Sequence, residues 1–151
     1  MRNTFSQRGA SGMLLIGVVL AALTSASAAP PQEVPASRVK HSIWKSTYKA
    51  PNGQNVQATI TFNGKQGTYR TSFGTGHLYD IEYFFDTAGN NDYPWVGKIV
   101  GKWSLHGASG TFRFYPSSET LEFTGDWDFG NGTGNGGPWN GRFERLIDNT
   151  N

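Results

Sequence analysis

The chain has 151 residues, 13 basic and 11 acidic, and no cysteine, which excludes a disulfide framework and a cysteine nucleophile. Arg2 and Arg8 fall in an N-terminal targeting segment. Without them 11 basic residues face 11 acidic ones, so the mature chain is formally neutral and its charge argues for neither nucleic acid nor acidic membrane. With 20 glycines and 14% aromatic residues, the composition favours β structure with many tight turns.

Residues 1–28 read as a signal peptide. Arg2 and Arg8 form a basic region, MLLIGVVLAAL from Met13 to Leu23 is an uncharged apolar core, and Ala26-Ser27-Ala28 supplies small residues for cleavage. The core is 11 residues long, short of the roughly 20 that span a bilayer, so no membrane insertion is expected after cleavage. A retained anchor is the weaker alternative, and without a cysteine there is no lipoprotein anchor. Export without disulfides fits a bacterial periplasmic or extracellular protein. Residues 29–41, with three prolines and little hydrophobicity, read as a disordered or extended leader.

From residue 42 short β-type runs alternate with turn signals. Residues 42–49 precede the turn Pro51-Asn52-Gly53. In 55–62, Val56, Ala58, Ile60 and Phe62 share one face and polar residues the other, the period of a half-buried strand. Asn63-Gly64 is a hairpin signal leading into 66–73. Gly74-Thr75-Gly76 breaks the chain before 77–85, and 86–93 (DTAGNNDY) is a long loop. In 95–103, Trp95, Gly97, Ile99, Gly101 and Trp103 share a face. Residues 110–115 carry Phe112 and Phe114 on one side. In 120–129, Leu121, Phe123, Gly125, Trp127 and Phe129 point inward. A glycine-rich loop, 130–137 (GNGTGNGG), precedes 139–146, with Trp139, Gly141 and Phe143 on one face. Residues 148–151 are expected as a frayed tail to a single β domain at 42–147.

About eight antiparallel strands with hairpin connections and no helix predict a closed up-and-down barrel, with a β-sandwich as the alternative. Interior glycines (Gly97, Gly101, Gly125, Gly141) suit bends or close backbone approach under an aromatic. The Gly101-x-Trp103 pattern with Gly110 recurs 24 residues later as Gly125-x-Trp127 with Gly134. The segments from Gly101 to Gly107 and from Phe123 to Trp127 resemble MORN repeats in wording. The exported meander with inward tryptophans is similar in architecture to the calycins, the avidins and lipocalins, a likeness that implies a barrel with room for one small ligand.

Candidate chemistry is sparse. Glu122, Asp126 and Asp128 share a strand face at ~6.5–7 Å spacing, which could serve a glycosidase. Lys98, Lys102, Arg113, Arg142 and Glu144 on nearby polar faces favour plain cross-strand charge pairing instead. His77, Asp80 and Glu82 have metal-ligand chemistry, but in a regular strand His77 projects away from the other two. A bulge or a strand start after His77 would bring the three to one face, yet no second histidine is near, since His41 and His106 sit in other turns. The loop at 130–137 lacks the lysine and following helix of a phosphate cradle. Asn131-Gly132-Thr133 is a formal glycosylation sequon, read here as loop. No catalytic, metal or cofactor site is expected.

The five tryptophans (Trp44, Trp95, Trp103, Trp127, Trp139) are then the informative residues. Core packing is their default. Trp95 and Trp139 start strands beside the two longest loops, and with Tyr93 and Trp44 they are expected to line a barrel mouth holding a small apolar or sugar-like ligand. The expectation is a non-catalytic exported binding protein. The alternative is a structural or interaction module of the cell envelope, with a filled core, five buried tryptophans and no ligand cavity.

Overall fold

The computed structural model describes residues 33–88, 92–130 and 135–148. The signal peptide, the sequon and the last residues of the tail lie outside them. A single sheet of eight antiparallel strands closes on itself in sequence order: β1 (His41–Lys49), β2 (Asn55–Asn63), β3 (Gln66–Thr71), β4 (Gly74–Thr87), β5 (Trp95–Leu105), β6 (Ala108–Ser117), β7 (Glu122–Phe129) and β8 (Gly137–Leu146). β8 pairs with β1 from Tyr48↔Trp139 to Ser42↔Leu146, which shuts the barrel and removes both sheet edges. It is an up-and-down barrel, not a sandwich.

The period-2 pattern explains the elements. Val56, Ala58, Ile60 and Phe62 of β2 are all buried, and Phe112 and Phe114 of β6 are at most 1% exposed. One irregularity interrupts the alternation. Asp80 adopts a positive φ of 52°, the register shifts between Tyr79 and Glu82, and the inward set changes from Gly76 and Leu78 to Ile81 and Tyr83. This bulge lets the 14 residues of β4 bend around the barrel.

An eight-stranded barrel is just wide enough for side chains to fill, and large rings fit this one because glycines face them. Tyr69 lies opposite Gly76, Phe85 opposite Gly97, Phe112 opposite Gly101, Phe114 opposite Gly125, and Phe123 opposite Gly141. A Cβ at any of these glycines would run into its partner's ring. The expected approach of glycine backbone under an aromatic is therefore the rule by which the core is built. Among the described residues three exposed ion pairs decorate the outer wall (Lys45–Glu144, Lys102–Asp80, Arg113–Asp126), and pairs of such exposure contribute little beside this core.

The two ends differ. At the end where β1 begins, called lower here, the chain stoppers its own barrel. Residues 33–40, expected to belong to a disordered leader, are instead ordered. They form the one-turn helix α1 (Ala36–Val39), and Val34, Ala36 and Val39 are 0–4% exposed. The apolar residues are few but well spaced to fill the barrel end. Their backbone is satisfied by Asp92, whose carbonyl accepts from Ala36 N and whose carboxylate accepts from Ser37 N. The Ser42 hydroxyl donates to the Val39 carbonyl. A second correction is at Phe73: β3 stops at Thr71, and the break falls at Ser72-Phe73 rather than at the glycines, so Phe73 stands 59% exposed at the opposite, upper end.

Candidate functional site

Trp95 and Trp139 do not share a mouth. In an up-and-down barrel odd and even strands run in opposite directions, so β5 starts at the lower end and β8 at the upper end. Trp95 lies under the N-terminal stopper. Its indole N–H donates to the Val34 carbonyl at 2.6 Å, its ring sits 5.0 Å from Phe85, and it is 2% exposed. Tyr93, half-buried, belongs to the same lower end and packs against the core. Trp44 is inside the core at 0% exposure, between Phe123 and Phe143, with its N–H on the Ser42 hydroxyl. Of the four expected site residues only Trp139 reaches an opening.

That opening is an aromatic cup at the upper end, with a volume of about 190 Å³. Strand ends supply it: Tyr48 from β1, Tyr69 from β3, Trp103 from β5, Trp127 and Phe129 from β7, and Trp139 from the start of β8. Ala50, Pro51, Phe73, Leu105 and Ala108 complete the lining. Trp139 ties the cup to the core, 5.3 Å from Tyr48 and 5.2 Å from Tyr69 inside the cup, and 5.1 Å from Phe114 beyond it. Trp103, Trp127 and Phe129 form a second cluster, with ring centroids 5.1–5.6 Å apart and planes inclined at 62–85°. Such edge-to-face packing holds each ring in place.

No charged side chain lines the cup among the described residues. Its three indole N–H groups are committed within the protein, Trp103 to the Asp128 carbonyl, Trp127 to the Lys49 carbonyl and Trp139 to the Ser46 hydroxyl, each at 3.0 Å. Among the described residues, the lining's remaining polar side-chain groups are the hydroxyls of Tyr48 and Tyr69. Burial raises the pKa of both, and for Tyr69 the neighbouring Tyr48 adds to the shift. Both hydroxyls therefore stay protonated through the physiological range. Geometrically the cup can take up an apolar group and offer it two phenolic donors.

The other candidates lie on the outer wall. Asp126 receives two hydrogen bonds from the Arg113 guanidinium (3.0 and 2.8 Å), and Asp128 one from the Thr111 hydroxyl (3.0 Å). Glu122 stands opposite Arg142 in the ladder. These are the cross-strand partnerships of a polar barrel face. The bulge at Asp80 turns His77, Asp80 and Glu82 all outward, where Asp80 accepts from Lys102 at 2.9 Å, and no group of three metal-ligating side chains occurs among the described residues.

Tyr48, Tyr69 and Phe129 were not singled out by the sequence reading, and Trp103 and Trp127 were counted as core. A parity signal was present: once eight strands are placed up and down, residues ending odd strands and starting even ones share an end. That groups Tyr48, Trp103 and Phe129 with Trp139 and sends Trp95 to the other side. No protein-family model matches the chain, and no curated protein or solved structure is significantly similar to it.

Proposed function

We propose that the protein is an exported, non-catalytic binding protein that holds a small, largely apolar ligand in the aromatic cup at the upper end of its barrel. One observation carries the reading: a barrel stoppered at one end by its own N-terminal segment keeps an apolar hollow of about 190 Å³ at the other. A protein gains nothing in stability from such a hollow, since tight packing of the same rings would recover lost dispersion contacts. Of the two ligand classes expected, the apolar one has more support than the sugar, because a sugar's hydroxyls would meet three indoles whose donors are already used. Export rests on the sequence signal in residues 1–28.

A second reading has an observation of its own. All five tryptophans are at most 6% exposed, as in an envelope interaction module with a filled core. Native mass spectrometry separates the two. Mature protein purified gently from its own host should carry a discrete added mass, and an Ala108→Trp variant, which places an indole over the cup from an exposed rim position, should lose it. A bare mass in the unsubstituted protein favours the interaction module.

A further inference from the structure

Building on that reading of the cup as a ligand site, we propose that its ligand is a neutral, flat molecule of about one six-membered ring bearing a hydrogen-bond acceptor that the hydroxyls of Tyr48 and Tyr69 engage. Size limits it first. A dry apolar cavity of roughly 150 Å³ accommodates benzene, so 190 Å³ takes one ring and a short substituent. Because the cup opens to solvent at the upper end, this volume sets the size of the group that enters it. Charge limits it next, because an ionised group would give up its hydration to a lining without a counter-charge. A quaternary ammonium, attracted by ring faces alone, would likewise find no carboxylate in the lining.

The near-perpendicular Trp103 and Trp127 rings (85°) present a face and an edge, the two surfaces against which a flat ring packs best. The polar groups set the remaining chemistry. With the indole donors committed to protein acceptors, Tyr48 and Tyr69 are left to read the ligand. Neither hydroxyl has a hydrogen-bond partner among the described residues, and protonated phenols are donors, so a carbonyl or ether oxygen is the group they match.

The test uses four probes on the full mature protein: acetophenone, ethylbenzene, benzyltrimethylammonium and methyl β-glucoside. Binding is followed by the shifts of the tryptophan indole N–H resonances. Acetophenone should bind. In Tyr69→Phe or Tyr48→Phe its affinity relative to ethylbenzene should fall about fivefold, the size of one net hydrogen bond, with ethylbenzene affinity unchanged. Each substitution keeps the ring, and thermal unfolding confirms that the variants fold. An unchanged ratio in both variants, with both probes still bound, overturns the acceptor while leaving the cup as a ligand site. Tighter binding of the ammonium or the glucoside overturns the ligand class on the same terms. Failure of all four probes to move the Trp103, Trp127 and Trp139 resonances overturns this inference and the binding reading together.

Discussion

Tyr48 and Tyr69 contribute to the molecule twice, as cup donors and as buried phenols whose ionisation the fold resists. Tyr83 joins them at the lower end, where its hydroxyl donates to the Gly64 carbonyl at 2.8 Å and burial raises its pKa. In each case the folded pKa lies above the ordinary value of 10.0. Above that value the unfolded chain releases protons that the native state still holds. Their contribution to stability is therefore complete below about pH 10 and is lost as pH rises further. Urea unfolding followed from pH 8 to 11.5 should show a flat midpoint, then a decline above pH 10. The decline should be shallower in Tyr69→Phe. Lys102 and Arg113, also raised by their carboxylate partners, act in the same direction, so the difference between variant and parent isolates the phenol.

At the scale of elements, the aromatic-over-glycine pairing holds neighbouring strands together, and Gly110 shows how tightly. A Cβ there would overlap the Asp128 carbonyl oxygen, which is also the acceptor for the Trp103 indole. Gly110→Ala should force β6 and β7 apart and cost about 3 kcal/mol, overpacking plus a lost hydrogen bond. Gly130→Ala, whose new Cβ would come no closer than 3.6 Å to the Gly110 Cα, should change stability by less than about 0.5 kcal/mol. Chemical denaturation of the two variants measures both. The strands themselves were legible in the sequence because one face of each is buried, and a period-2 pattern such as Val56–Ala58–Ile60–Phe62 admits few other readings. Their ends were legible to within a few residues. The stopper was not: Val34, Ala36 and Val39 follow neither a helical nor a strand period, and their burial depends on a barrel end that no local pattern announces. A bulge after His77 was legible as a possibility, but its place at Asp80 was not, since an aspartate adopts a positive φ without any sequence mark.

At the scale of the whole molecule the barrel has one closed end and one open one. The inward aromatics are recognisable as a class from the sequence, but starting a strand beside a long loop does not place a residue at an end: strand direction alternates, so Trp95 of β5 and Trp139 of β8 open at opposite ends. The N-terminal segment covers Trp95 at the lower end, and the upper end carries the hollow lined by aromatic rings without a charged side chain among the described residues. The indole N–H groups report on both regions within one spectrum: Trp103, Trp127 and Trp139 line the cup, whereas Trp44 and Trp95 do not. The most direct measurement is a titration of the isotopically labelled mature protein with acetophenone, following the five indole resonances. Saturable shifts at Trp103, Trp127 and Trp139, with Trp44 and Trp95 unmoved, are the expected result. Shifts centred on Trp95, or no shift at any indole, would contradict a ligand site at the upper end.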